Sequence, residues 1–320
     1  MSRINELKNR LLGRLRGPAS APEHHVERQL LVQCLLIAKM NRSVTHLRTL
    51  SDAEFCGFSQ WGEDGIIDWL VERLPGIPRI FVEFGVEDYR ESNTRLLLKL
   101  RNWHGLVMDG SQKHIADIMR QDIYWRYDLI AKCAFIEREN VNNLIASSGI
   151  RGEIGLLSVD IDGNDYWVWQ ALDVVKPVIV VCEYNASFGD VCRVSVPYQP
   201  DFRRTGAHHS NLYFGASLPA LIELATQKGY VFVGTNSNGC NAFFVRNDRA
   251  ADVRKSIGEV RSFPSTFRES RDNLGQLTFA RGESRVDVIR HLPVFDFDAN
   301  TVKPLADLGE LYSETWRQAY

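Results

Sequence analysis

Two short apolar runs, each closing on a carboxylate and a glycine, are the stretches of this 320-residue chain that point most clearly to chemistry. Residues 79–86 read RIFVEFGV, with Glu83 and Gly85 at the end, and residues 105–110 read GLVMDG, with Asp109 in the same position. Buried parallel strands end in this way beside nucleotide-like ligands. A carboxylate there can accept hydrogen bonds from both hydroxyls of a ribose, and a glycine lets the backbone approach the ligand. We expect the two runs to form the floor of a cofactor site.

The first of these runs lacks a phosphate-binding sequence. Residues 83–88 read EFGVED, which is not Gly-x-Gly-x-x-Gly and which places acids where a pyrophosphate needs N–H donors. This argues against NAD, FAD and nucleoside triphosphates. A cofactor with a ribose and a positively charged end fits better, and S-adenosylmethionine has both.

Further along the chain, acidic residues follow two more predicted strands. Residues 158–166 read SVDIDGNDY and residues 182–185 read CEYN. Asp160 is positioned to take a proton from an acceptor hydroxyl, or to bind a divalent cation together with Asp162, Asp165 or Glu183. Such oxygen ligands favour Mg²⁺ or Mn²⁺ over Zn²⁺, and the cation would lower the pKa of the hydroxyl. The alternative is a turn at Asp162 with Asp165 capping the next helix.

A long connection at residues 188–213 carries aromatic residues, two arginines and a pair of histidines. Loops of this length in a compact domain are usually binding elements or disordered. Arginines beside aromatic residues suit a sugar nucleotide or another phosphorylated glycan. His208 or His209 is a candidate base or metal ligand, and the alternative is a solvated pair.

The elements that must position these residues alternate between strands and helices. We predict strands at residues 80–84, 106–108, 131–136, 155–160, 177–183, 230–234 and 241–246, with helices at 25–50, 91–100, 141–147, 166–172 and 217–228. The last two strands are too close in sequence for a parallel crossover and must form an antiparallel hairpin. This pattern predicts a Rossmann-like, seven-stranded, mainly parallel sheet with an antiparallel last strand and helices on both faces.

At this point the sequence resembles the class I S-adenosylmethionine-dependent methyltransferases. The resemblance lies in the strand ending VEFG, Asp109, the DIDG of residues 160–163 and the closing hairpin, over about residues 55 to 250. Residues 59–65, SQWGEDG, are similar to the FkbM-like group, many of which O-methylate sugars and secondary metabolites. The usual Gly-x-Gly after strand one is reduced to Gly85. Residues 162–165 resemble, with one insertion, the Asp-Gly-Asp segment of magnesium-using macrolide-sugar methyltransferases.

The resemblance implies a role for each matching position. Asp109 would bind the ribose hydroxyls, and Glu83 with Gly85 would line the ribose and methionine moiety. The remaining cofactor-binding residues would be Gln60 and Asp64 at the amino-acid end, Cys133 and Ala134 beside the adenine, and Asp160. Asp160, His208 and His209 are the catalytic candidates, and Asp160, Asp162 and Glu183 are the metal candidates.

Composition limits the partners and the compartment. The formal net charge of -2, from 38 basic and 40 acidic side chains, gives no general attraction to nucleic acid or anionic membranes. Six scattered cysteines without a Cys-x-x-Cys pair indicate free thiols in a reducing compartment. There is no apolar run of about 18 residues to span a membrane, and the charged residues 1–16 do not read as a signal peptide. We therefore expect a cytoplasmic protein without a nucleic-acid partner or transmembrane segment.

The predicted organisation has three parts: a helical N-terminal extension (1–50), a methyltransferase domain (51–250) and a C-terminal extension packing on the core (251–320). Either extension can serve a homo-oligomer. The leading prediction is an S-adenosylmethionine-dependent O-methyltransferase for a hydroxyl of a sugar, sugar nucleotide, glycan or secondary metabolite, with Mg²⁺ or Mn²⁺ as an optional second cofactor. The alternatives are an N-methyltransferase of an amino sugar and a non-catalytic binding module of the same fold.

Overall fold

The computed structural model describes residues 21–319, with side chains from His25 onward, so the charged residues 1–16 and the start of the predicted N-terminal extension lie outside the described residues. A seven-stranded sheet forms the centre, in the order β3-β2-β1-β4-β5-β8-β7. Its strands are β1 (Ile80–Phe84), β2 (His104–Asp109), β3 (Leu129–Cys133), β4 (Gly152–Val159), β5 (Val175–Glu183), β7 (Tyr230–Thr235) and β8 (Asn241–Arg246).

Strand direction follows the prediction. β1 lies between β2 and β4 and is parallel to both, whereas β8 is antiparallel to β5 and to β7. Successive residues of β1 face opposite sides of the sheet: Phe81 packs in one hydrophobic cluster, and Val82 and Phe84 pack in the other. A sheet buried on both faces requires such nearly continuous apolar strands. The predicted Rossmann-like architecture with an antiparallel last strand is confirmed.

Helices cover both faces of this sheet. Ile66, Leu97, Ile115 and Val253 bring four helices onto the Phe81 face, and Val141, Trp169 and Leu221 bring three onto the Phe84 face. None of the helices within residues 21–319 is long and apolar enough to span a lipid bilayer. The helices are α1 (Ala21–Ser43), α2 (Glu63–Arg73), α3 (Arg95–Arg101), α4 (Gln112–Arg120), α5 (Asp122–Arg126), α6 (Val141–Ala146), α7 (Asp165–Ala171), α8 (Arg204–Ala207), α9 (Leu218–Gln227), α10 (Ala250–Lys255), α11 (Glu283–Ile289) and α12 (Glu314–Arg317).

Several boundaries differ from the prediction by a few residues. The first described helix ends at Ser43 rather than at residue 50, and a short 3-10 turn follows at Leu50–Ala53. β3 begins and ends earlier than the predicted 131–136, because its pairing with β2 stops at the Asp109–Cys133 register. Residues 134–136 are therefore released from the sheet and enter the wall of the cleft described below.

The C-terminal region contains strands that we did not predict. β9 (Pro293–Asp296) and β10 (Thr301–Pro304) form an antiparallel hairpin, and β9 also pairs with β6 (Val194–Ser195) in the long connection. The backbone after β10 then returns to the loop that follows β5: the Leu311 carbonyl accepts hydrogen bonds from the amides of Asp190 and Val191. The C-terminal extension therefore contains two strands as well as helices.

Candidate active site

A cleft of about 640 Å³ opens at the carboxyl ends of β1, β2 and β4. Eight of the predicted site residues line it: Gln60, Glu83, Gly85, Asp109, Ala134, Asp160, Asp162 and Glu183. Four others, Asp64, Cys133, His208 and His209, are not among its lining residues. This is the edge of an open parallel sheet at which ligands bind.

Gly85 holds the ends of β1 and β4 together. Its φ angle is +70°, and a Cβ built on it would lie 1.6 Å from the backbone carbonyl oxygen of Asp160. Its own amide donates to the carbonyl of Met108, 2.9 Å away. Only glycine meets both requirements without strain, since the position needs a left-handed backbone and no side chain.

Glu83 fixes the loop that leads into α3. One carboxylate oxygen accepts from the amide of Asn93 at 2.7 Å, and the other accepts from the hydroxyl of Ser92 at 2.8 Å and from the amide and hydroxyl of Thr94. Burial raises the pKa of Glu83, although these donors favour the ionised form and oppose the shift. The carboxylate thus positions the start of a helix at the edge of the cleft.

Asp109 is held from three directions at the tip of β2. Its Oδ1 accepts from the amide of Ser111 at 2.7 Å and lies 3.1 Å from Nδ1 of His114, while Oδ2 accepts from the amide of Glu87 at 2.9 Å. Glu87 itself adopts a positive φ of 46°. The loop after β1 is thereby tied to the end of β2 through a carboxylate that faces the cleft.

Asp64 lies behind the cleft and orders the loop that presents Gln60. Its Oδ2 accepts hydrogen bonds from the amides of Gly57, Phe58 and Ser59, at 2.8, 2.5 and 2.8 Å. Burial raises the pKa of Asp64 to about 6, against the effect of these three donors.

Cys133, the last residue of β3, is exposed, with Sγ 3.8 Å from the carbonyl oxygen of Gly110. Its neighbours Ala134 and Phe135 line the cleft in its place.

Three carboxylates meet beyond the ends of β4 and β5, where Asp160 and Glu183 line the cleft and Asp165 is fully buried beside them. Asp160, Asp165 and Glu183 each offer an oxygen within 4.8 Å of the others, which brings together one candidate cation site among the described residues. Desolvation, and then repulsion from neighbouring carboxylates, raises the pKa of Asp160 and of Glu183 well above the ordinary value. Desolvation raises the pKa of Asp165 to about 6, against the hydrogen bonds that it accepts from Ile161 and Gly163.

Asp162 does not belong to that group. It sits in a turn with a φ of +55°, and its Oδ1 pairs with Nη1 of Arg204 at 2.7 Å. The turn predicted as the alternative to a metal ligand is present, because Asp162 has the turn conformation and the Asp165 carboxylate accepts from the amides of Ile161 and Gly163, but the predicted cap is not. The N-cap of α7 is Asn164 rather than Asp165.

The long connection folds over this acidic end and supplies the two arginines. Arg204 lies over the ring of Phe214 at 4.0 Å, and its Nε donates to the carbonyl of Asn211 at 2.8 Å. Arg203 lies over the ring of Phe135 at 4.9 Å, beside the end of β3. The positive charge of Arg204 partly offsets the rise in the pKa of Asp160 and Glu183.

The histidine pair lies in the same connection but outside the cleft lining. The rings of His208 and His209 are 4.1 Å apart, and His291 lies 5.7 Å from His208. Nδ1 of His208 is 2.8 Å from the hydroxyl of Ser210, and burial lowers the pKa of His208.

The cleft also contains residues that were not among our site predictions. Asn164 and Asn241 are buried, at 3% and 5% exposure, and each presents an amide oxygen without a hydrogen-bond partner. Phe267 and Glu269 come from the C-terminal region and complete the wall opposite β4. Asn241, next to a turn at the hairpin, carried the only local signal; nothing in the sequence near Glu269 links it to residues that lie over a hundred positions earlier.

Comparison with known proteins gives only distant likenesses. No protein-family model matches the chain, and no curated protein matches it. The N-terminal domain of EvdMO1 with SAH bound has a TM-score of 0.38 and 11% identity, over 59% of this chain and 82% of that chain. The same domain in the presence of SAH and D-fucose has a TM-score of 0.38 and 11% identity, over 72% and 99%. An S-adenosylmethionine-dependent methyltransferase from Clostridium acetobutylicum ATCC 824 has a TM-score of 0.35 and 11% identity, over 57% and 90%. Likenesses this distant assign no chemistry, so the geometry of the cleft has to supply it.

Proposed function

We propose that this protein is an S-adenosylmethionine-dependent O-methyltransferase that acts on a hydroxyl of a sugar, glycan or secondary metabolite. The observation that carries the proposal is the cleft at the carboxyl ends of β1, β2 and β4, where Asp109 and Gly85 stand at the tips of neighbouring strands. No glycine-rich phosphate cradle follows β1, and the lining is rich in carboxylates. Such a site suits a cofactor with a ribose and a positive charge.

The lining residues fit this cofactor. Glu83, Glu87, Glu91 and Asp109 face the half of the cleft at β1 and β2, where a sulfonium and an ammonium group need negative charge. Three donors occupy Asp109, and a carboxylate has about four acceptor positions, so about one remains for a ribose hydroxyl. A second hydroxyl would share the oxygen that now accepts from Glu87.

In the proposed reaction the cofactor supplies a methyl group bonded to a positively charged sulfur. The acceptor oxygen forms a bond to the methyl carbon, the carbon–sulfur bond breaks with its electron pair moving to sulfur, and the hydroxyl proton leaves the acceptor. When no cation is bound, Asp160 is the proposed proton acceptor, because it lines the cleft and its raised pKa makes it a stronger base than an ordinary aspartate. The described positions of His208 and His209 favour Asp160 over either histidine.

A divalent cation is the second part of the proposal. Asp160, Asp165 and Glu183 would hold Mg²⁺ or Mn²⁺ through oxygen atoms, and the cation would lower the pKa of the acceptor hydroxyl. Asp165 replaces Asp162 in the proposed ligand set, since Asp162 is paired with Arg204.

Binding of Mn²⁺, followed by electron paramagnetic resonance, tests the ligand set without any assay of turnover. We expect wild-type protein and Asp162→Asn to bind Mn²⁺, and Asp165→Asn to bind it at least about tenfold more weakly. Circular dichroism checks that Asp165→Asn, which perturbs the turn, remains folded. No Mn²⁺ binding by the wild type would eliminate the metal from the mechanism and leave Asp160 as the base.

Calorimetry with S-adenosylmethionine tests the cofactor. Asp109→Ala should weaken binding about 10- to 100-fold, the effect of losing one or two hydrogen bonds to a charged group. Asp128→Ala, at an exposed aspartate just before β3, is the matched control and should bind as the wild type does. Absence of binding heat with the wild-type protein would overturn the proposed function.

A further inference from the structure

Two buried amide oxygens in the cleft, Oδ1 of Asn164 and Oδ1 of Asn241, have no hydrogen-bond donor. The Nδ2 of Asn164 donates to the carbonyl of Gln199 at 2.8 Å, and the Nδ2 of Asn241 donates to the carboxylate of Glu63 at 3.0 Å. Because those partners are acceptors, the amide nitrogens must face them and the oxygens must face the other way. Both Oδ1 atoms are buried and unpartnered, and both residues line the cleft. A buried acceptor left unsatisfied costs about 1–3 kcal/mol, so a ligand with donors is favoured here.

As long as no divalent cation is bound, the carboxylates in this part of the cleft disfavour an anionic ligand. Asp160, Asp162, Glu183 and Glu269 line the part of the cleft beyond β4 and β5. Arg204 is the cation among them, and it already pairs with Asp162 while facing Glu183 and Glu269. A phosphate placed there would meet several carboxylates and a guanidinium that is already engaged.

Arg203 does not reverse this balance. It lies over Phe135, next to the end of β3 and on the side of the cleft proposed for the cofactor. We expected a phosphorylated acceptor because Arg203 and Arg204 stand near aromatic residues in the sequence of the long connection. In the fold Arg203 lies over Phe135 and Arg204 pairs with Asp162, so each guanidinium is less able to bind an acceptor phosphate.

We infer that the acceptor end of this cleft selects a phosphate-free polyol. The amide oxygens of Asn164 and Asn241 accept hydrogen bonds from its hydroxyl or ammonium groups, and Glu269 helps to reject phosphorylated forms. The inference rests on the proposed function for the identity of the reaction, and it narrows the acceptor to free sugars, glycosides or aminodeoxy sugars. Sugar nucleotides and sugar phosphates are disfavoured.

Matched pairs of sugars that differ only in a phosphate test this selection. The probes are D-galactose with D-galactose 1-phosphate, and D-glucosamine with D-glucosamine 6-phosphate. Binding is measured by saturation-transfer NMR on the full chain, with and without S-adenosylhomocysteine. Release of S-adenosylhomocysteine from S-adenosylmethionine is measured in parallel, and the position of the new methyl group separates O- from N-methylation.

The phosphate-free member of at least one pair should bind at least about tenfold more tightly than its partner, since about 1.4 kcal/mol of repulsion suffices for that ratio. Glu269→Lys should reduce the preference at least fivefold. Glu310→Lys, at an exposed glutamate of the same C-terminal region with 77% side-chain exposure, should leave it unchanged. Asn164→Ala should weaken binding of the phosphate-free member.

Tighter binding of the phosphorylated member, or no binding by either phosphate-free probe, would overturn the inference. Equal loss of preference in Glu269→Lys and Glu310→Lys would remove Glu269 from it. Failure of the proposed function is a separate result: it would show as absent binding of S-adenosylmethionine in calorimetry while the phosphate-free sugar still binds the cleft.

Discussion

Replacing Gly85 with alanine should damage the fold and the cleft together, for two reasons that can be measured separately. A residue with a Cβ at a φ of +70° costs about 1–2 kcal/mol. The new Cβ would also lie 1.6 Å from the carbonyl oxygen of Asp160 and 2.8 Å from its carbonyl carbon, so the end of β4 has to move. Overpacking of this kind costs about 1–3 kcal/mol more. We therefore expect Gly85→Ala to lower the free energy of unfolding by about 2–5 kcal/mol in total.

Gly76→Ala isolates the backbone part of this effect. Gly76 has a φ of +73°, but nothing lies within 4 Å of the position of its Cβ. Urea unfolding of both variants, followed by tryptophan fluorescence, should show a loss of about 1–2 kcal/mol for Gly76→Ala and a clearly larger loss for Gly85→Ala. Because Asp160 moves only in Gly85→Ala, only that variant should bind S-adenosylmethionine more weakly. Equal losses of stability in the two variants would refute the close approach of Gly85 to Asp160.

Two further substitutions test the buried carboxylates around the cleft. Glu83→Gln should destabilise the protein by about 2–3 kcal/mol, because either orientation of the amide sets an NH₂ group against a backbone donor at Asn93 or Thr94. The control is Glu153→Gln, at a half-exposed surface pair, which should change the free energy of unfolding by less than about 1 kcal/mol. Equal effects of the two substitutions would contradict the burial of Glu83. The second test uses pH. The pKa of Asp64 is raised from 3.8 to about 6 in the folded protein, so its contribution to stability is complete below about pH 4 and falls away as the pH rises to about 6. Asp64→Asn should flatten this fall by up to about 3 kcal/mol in urea unfolding between pH 4 and 7, and an unchanged pH dependence would show that Asp64 is not the group responsible.

The sheet could be predicted from the sequence because local pattern decides most of it. β1 and β8 begin and end where they were predicted, at Ile80–Phe84 and Asn241–Arg246. The short link between β7 and β8 permits only an antiparallel hairpin, and the structure has one. Strands buried on both faces leave a continuous apolar signal that needs no knowledge of distant partners.

Contacts between distant segments account for what was missed. β6 has two residues and β9 has four, and they pair across about a hundred residues of chain, so neither run carries a strand signal of its own. The same holds for Glu269, whose segment contacts the long connection: Asn211 donates to the Glu269 carboxylate, and the amide of Arg271 donates to the carbonyl of Ser210. Helix α4 was missed for another reason: its polar face outweighs its two buried isoleucines, Ile115 and Ile118.

The sequence predicted which residues lie at the strand ends around the cleft better than it predicted what each of them does there. Asp109, Gly85 and Asp160 line the cleft as placed, because strand ends in a parallel sheet share one edge. Asp64 has its carboxylate turned toward three loop amides, and Asp162 is paired with an arginine from the long connection. Whether a carboxylate faces a ligand or supports the backbone depends on donors that lie elsewhere in the chain, and neither spacing nor composition reveals them.

The residues that complete the cleft and hold the loop after β5 come late in the sequence, so they are synthesised after the central strands of the cleft. The strands that carry Gly85, Asp109 and Asp160 leave the ribosome first, but Phe267 and Glu269 follow only after about a hundred more residues. Leu311, whose carbonyl accepts hydrogen bonds from Asp190 and Val191, comes later still in the sequence. Removal of the segment from Leu311 onward would leave every central strand intact while removing two hydrogen bonds that hold the loop after β5.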